Sequence, residues 1–140
     1  GCGVKKDTVK AVNYFLEAER LGCVEAKVSI GMFYELGTCG FKQDQKRALE
    51  LYSEAAHGHS VRGMFNLATC HYLGIGTKQD YTEAIVWYRK ACDKGFARAM
   101  VCLGRCYYEG KGVPQDYKTA VQYYLDAAKR NLDTAHNKAG

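Results

Sequence analysis

The chain has 140 residues, 47% of them apolar, and a formal charge of +5. That length suits one domain with a sizeable core. No stretch approaches the ~20 apolar residues of a membrane-spanning helix, and Lys and Arg are interspersed with Asp and Glu, so neither membrane insertion of this segment nor a basic track for nucleic acid is expected.

The chain opens with GCGVKKD, a loop that predicts a helix start at Asp7, because an Asp carboxylate at the N-cap accepts free N–H groups of the first turn. This first helix ends near Gly22, and a second passes through residues 30–34 and stops at Gly37. After the loop GTCGF the order recurs: a first helix from Asp44 to Gly58, then a second through 67–72 that stops at Gly74. It recurs again from Asp80 to Gly95 and through 103–108 to Gly110, with Asp80 and Glu83 spaced as a capping-box pair. After GKGVPQD, a fourth first helix runs from Asp116 to about Asn131, and AHNKAG lies part-way into another second helix. Gly and Asn tolerate the left-handed conformation that closes helices.

The Asp anchors are 37, 36 and 36 residues apart. Around each, the same residues return: Gly3, Gly40, Gly76 and Gly112 four before, Ala11, Ala48, Ala84 and Ala120 four after. Ala18, Ala55, Ala91 and Ala127 follow at eleven, and Ala26, Gly63, Ala99 and Ala135 at nineteen. The extra residue of the second copy falls in GTCGF, a loop where insertion is cheap. Gly31, Ala68 and Gly104 add a second small site, and Tyr14, Leu51, Trp87 and Tyr123 are expected to fill between the small residues. One hairpin cannot bury both of its sides, whereas stacked hairpins can. The expected fold is all-α: one domain over residues 1–140, a solenoid of about four ~36-residue helix-turn-helix repeats, read as a section of a longer solenoid, with a natural polar cap at Asn137 and Lys138 as the alternative.

The pattern G-x-G-x-x-x-D-x-x-x-A-x-x-x-Y-x-x-A, followed by Gly, a small residue and L-G, resembles the Sel1-like repeat, a tetratricopeptide-type α/α repeat. The resemblance implies a right-handed superhelix with a concave surface. It also implies a non-enzymatic adaptor or scaffold that binds a protein or peptide partner, as a possible subunit of a larger assembly. One branch, the Helicobacter cysteine-rich proteins, is secreted, ties each repeat with a disulfide and includes members that bind penicillin-like ligands. That branch supplies the alternative function, small-molecule binding with weak hydrolase activity. Its recurring Cys pairs are absent here: Cys92 is matched by Glu19, Ala56 and Ala128, and Cys102 by Ser29, Asn66 and Lys138, which leaves one conceivable Cys92–Cys102 bridge.

The seven cysteines are an odd number, which fits a fully paired set poorly and leans toward the cytoplasm, with secretion as the alternative. Neither G-x-S-x-G nor S-x-x-K occurs, and GRCYYEGK fails the phosphate-loop pattern in length and context, so no catalytic or cofactor-binding residue is assigned. His71 stands where Tyr34 and Tyr107 do and reads as a substitute for a packed ring. Cys70, Cys102 and Cys106 with His71 invite a metal reading, but Phe33 holds the Cys70 place in the first copy, so an apolar core slot is expected and no metal ligand assigned. The candidate partner-binding residues are rings on first helices: Phe15, Tyr52, Tyr88 and Tyr124 eight after the anchors, and Tyr81 and Tyr117 one after. Positions one, five, eight and twelve are expected to face the concave side or its edge. A ring ladder at helical spacing equally suits packing between repeats.

Overall fold

A computed structural model describes the backbone of residues 6–139 and the side chains of residues 7–133. The expected roles of Cys2, Gly3 and the side chains of Ala135, His136, Asn137 and Lys138 lie outside the described residues. Within them, every regular element is an α-helix: α1 (Lys6–Arg20), α2 (Val24–Leu36), α3 (Gln45–His57), α4 (Val61–Leu73), α5 (Tyr81–Asp93), α6 (Ala97–Glu109) and α7 (Tyr117–Ala139). Each helix packs on its neighbours in the chain, and α2 also touches α4, so successive hairpins stack into a solenoid.

The joints form as the repeat demands. Gly37, Gly74 and Gly110 close α2, α4 and α6 in the left-handed conformation, with φ of 66°, 76° and 70°. Asp44, Asp80 and Asp116 accept the N–H of Arg47, Glu83 and Thr119 at 3.1, 3.1 and 3.2 Å. Such caps contribute ~1 kcal/mol each. The Gln before each Asp completes the joint: Gln43, Gln79 and Gln115 donate Nε2–H to the carbonyls of Glu35, Tyr72 and Tyr108, each at 2.9 Å. These are last-turn carbonyls without an intrahelical partner.

Five expectations are corrected. Lys6 is already helical, so Asp7 lies inside α1 and not at its N-cap. Glu83 does not close a capping box: the Asp80 N–H donates to the His71 carbonyl, and Glu83 Oε1 accepts Trp87 Nε1–H at 3.1 Å. The left-handed residue of the second copy is His59 (φ 71°), in register with Gly22 (φ 89°) and Gly95 (φ 85°), whereas Gly58 has φ −86°. Asn131 does not end α7, which runs on to Ala139; Asn carries a Cβ, so a left-handed exit costs energy that Gly22 and Gly95 avoid. Ala11 and Tyr14 are exposed, whereas Ala48, Ala84, Ala120 and Leu51 are buried.

The core runs along the stack. Ala55 and Gly63 let α3 and α4 touch: a Cβ on Gly63 would stand 2.8 Å from Ala55 Cβ. Between repeats a ring lies on a small residue. The Tyr52 ring occupies the place of a Gly31 side chain, and Tyr124 packs on Gly104. Cys70 and Cys106 fill buried slots at equivalent places in α4 and α6.

Candidate functional site

The six rings expected to meet a partner have different fates. Tyr52 and Tyr88 are 0% and 2% exposed, so their rings belong to the core between repeats and are not available to a partner. The Tyr52 hydroxyl donates to Glu35 Oε1 at 2.8 Å. The Tyr88 hydroxyl lies 3.0 Å from Thr69 Oγ1, and because Thr69 donates to the Phe65 carbonyl, Tyr88 is the donor. Burial raises both phenols well above the usual tyrosine range. Phe15 is half-buried, edge-on to Phe33 at 5.9 Å, and Tyr124 is half-buried on Gly104. Tyr81 packs on Tyr72 with centroids 5.1 Å apart and Lys111 Nζ 5.5 Å from its ring. Tyr117, 56% exposed, packs on Tyr108 with the same 5.1 Å separation.

A concavity lies between α3 and α5, floored by α4. It encloses about 510 Å³, within the ~300–1,000 Å³ of common binding clefts. From α3 come Leu49, Glu50, Ser53, Glu54 and His57, from α4 Leu67 and His71, and from α5 Glu83 and Trp87. Trp87 is a core residue, 8% exposed, that shows part of its ring to the cleft, and its indole is fixed by the Glu83 carboxylate. The His57 ring stands edge-on to it at 5.3 Å, held by Nδ1–H donation to the Ser53 carbonyl at 2.8 Å. Glu54 pairs with Lys27 and Glu50 with Arg47, each at 3.1 Å. His71 Nδ1 is buried without a hydrogen-bond partner among the described residues. A buried polar atom left so costs ~1–3 kcal/mol.

Most of this lining escapes the sequence expectation. Leu49 stands at an expected inward position, five after Asp44, but Glu50, Ser53, Glu54 and His57 stand six, nine, ten and thirteen after it. Glu83 and Trp87 stand three and seven after Asp80. The available signal was variation between copies: position six reads Asn13, Glu50, Val86 and Gln122, and position three reads Lys10, Arg47, Glu83 and Thr119.

The six described cysteines, Cys23, Cys39, Cys70, Cys92, Cys102 and Cys106, are free thiols. Burial pushes Cys70 and Cys92 up to about 12 and Cys106 up to about 11, so these thiols are protonated and poorly nucleophilic at neutral pH. Among the described residues no group of three or more His, Cys, Asp or Glu side chains could hold a metal ion. No described helix is long and apolar enough to cross a membrane.

Residues 1–23, 24–59, 61–96 and 97–132 each match the Sel1 repeat. The chain belongs to the Sel1 repeat family. Solved structures agree with this. A protective antigen of uropathogenic Escherichia coli strains with an SLR fold superposes with TM-score 0.83 at 31% identity, over 90% of this chain and 27% of the antigen. This Sel1 repeat chain therefore spans about a quarter of that antigen. A Sel1 repeat protein from Oxalobacter formigenes gives 0.79 at 29% identity, over 84% of this chain and 89% of its own. Helicobacter pylori cysteine rich protein B gives 0.66 at 28%, over 93% and 92%. Among curated proteins, none matches the chain. Sel1 repeat proteins are generally protein-interaction scaffolds, and the family is typically non-enzymatic.

Proposed function

We propose that this Sel1 repeat segment is a non-enzymatic scaffold that holds a peptide segment of a partner protein in the cleft between α3 and α5. The observation that carries the reading is the cleft's lining: three carboxylates, at positions that differ from copy to copy, beside the uncovered part of Trp87. An amphipathic ring buries area at low entropic cost, and polar groups around it fix register. The proposal extends to Tyr117, whose ring is exposed, and to the uncovered edges of Tyr81, Phe15 and Tyr124. Tyr52 and Tyr88 are left out, because their rings are spent on packing. In this reading the segment serves as a subunit of a larger assembly. No observation favours a penicillin-like ligand.

A photocrosslinking side chain at Ser53, inside the cleft, tests this against the same group at Val101 on the exposed side of α6. The expected result is a defined partner band from position 53, weak from 101, and lost when Trp87→Ala is added at unchanged helix content. Equal capture from both positions, or capture that survives Trp87→Ala, would overturn the cleft assignment.

A further inference from the structure

The hydrogen-bonding groups of the cleft are nearly all acceptors. Each of its three carboxylates spends one oxygen on a partner in the same chain: Glu54 Oε2 on Lys27, Glu50 Oε2 on Arg47, Glu83 Oε1 on Trp87 Nε1–H. Among the described residues no protein donor reaches the other oxygen of any of them. His71 Nδ1 is buried beneath the floor and adds no acceptor to the cleft surface. His57 has already given its Nδ1–H to a carbonyl. No Lys or Arg lines the cleft, although the chain as a whole is basic. Lys27 and Arg47 reach Glu54 and Glu50 from outside the lining, and such exposed pairs hold their partners weakly. Trp87 already serves as a cation platform, with Lys90 Nζ 4.3 Å from its ring centre.

From this complementarity we infer that the cleft receives the guanidinium of an arginine on the partner protein. The inference rests on the scaffold reading above and names the chemistry the cleft selects. A guanidinium is planar, permanently charged and carries five N–H donors in a fixed fork. It matches several acceptors spread around one aromatic ring. The fork takes carboxylate oxygens at the rim, and the plane lies against the part of Trp87 that the cleft leaves uncovered. A lysine brings a compact charge that cannot span acceptors on two helices at once, and an acidic segment would meet three carboxylates.

Trp87 is the one tryptophan in the sequence, so its indole N–H gives a single cross-peak in a 1H–15N spectrum of the labelled chain. The probes are Nα-acetyl-arginine amide, its lysine counterpart and its neutral citrulline counterpart. The arginine probe is expected to move the indole peak saturably, the lysine probe several-fold more weakly, and the citrulline probe not at all. Glu54→Gln and Glu50→Gln change exposed side chains, and each should weaken the arginine probe roughly tenfold, the equivalent of about 1.4 kcal/mol, at unchanged helix content. Equal responses to arginine and citrulline, equal affinities for arginine and lysine, or full affinity in the Gln variants would overturn the inference. An unmoved indole peak alongside Ser53 crosslinking defeats the arginine assignment alone. Arginine-specific binding with no partner captured defeats the scaffold reading alone.

Discussion

His59 occupies a backbone conformation that its two counterparts reach with glycine. Its φ of 71° matches Gly22 at 89° and Gly95 at 85°. For a residue with a Cβ the left-handed region costs roughly 1–2 kcal/mol, and His sits toward the lower end because it tolerates that region better than most residues. Glycine removes this cost but adds freedom to the unfolded chain, a loss of ~0.5–1 kcal/mol. His59 is exposed, and its side chain makes no hydrogen bond among the described residues, so nothing else is forfeited. His59→Gly should therefore gain about 0.5 kcal/mol. At ~2 cal/mol/K per residue this is a rise of ~2 °C in Tm. Urea denaturation followed by circular dichroism reads the gain as a later midpoint at unchanged slope. His59→Ala keeps the Cβ without a polar group and should be less stable than His59→Gly by ~1 kcal/mol. A His59→Gly midpoint at or below that of the parent chain would refute the argument.

Gly31→Ala would set a Cβ 2.7 Å from Tyr52 Cε1, whose ring is buried and tethered to Glu35. A helix-propensity gain of ~1 kcal/mol opposes an overpacking cost of ~1–3 kcal/mol, so a net loss of about 1 kcal/mol is expected, with the sign reversing in a Tyr52→Leu background; a double-mutant urea cycle measures this. Asp80→Ala should cost ~1 kcal/mol and Asp80→Asn almost nothing, because Asn caps as well as Asp; the paired midpoints decide. Gln79→Ala leaves the Tyr72 carbonyl to water and should cost about 0.5 kcal/mol. Burial holds the Cys70 and Cys106 thiols at about 12 and about 11. Unfolded thiols lose their protons from ~pH 8.5 upward, so the unfolded state binds fewer protons over that interval. The stability these groups contribute is complete below ~pH 8.5 and is lost as pH rises through 11 and 12. Urea midpoints should fall between pH 8.5 and 11, less steeply in Cys70→Ala.

The joints were readable because each rests on a local rule: a left-handed glycine at 37, 74 and 110, and a capping carboxylate at 44, 80 and 116. The period then gave the stack. The Gln before each Asp had the same regularity in the sequence, but its role needs the preceding helix's carbonyls brought within 2.9 Å, a relation the sequence does not display. His59 and Gly58 differ by one register step, and the glycine's greater tolerance of left-handed geometry pointed to the wrong residue. The ring ladder was ambiguous in principle, since packing and binding both place rings at helical spacing. Burial by the neighbouring repeat decided it for Tyr52 and Tyr88. The cleft was least legible of all. Its walls are residues of α3 and α5 that face each other only after stacking, and nothing in the sequence shows that His71, in a ring's place, buries Nδ1 without a partner.

The most direct test of the cleft as the working surface is the Trp87 indole cross-peak, followed while the partner captured from position 53 is titrated into the labelled chain. The account predicts that this peak moves or broadens with the first additions, together with the backbone amides of Glu54 and Glu83. Saturation of binding with the indole peak unmoved, and shifts confined to the exposed side of α6, would contradict it.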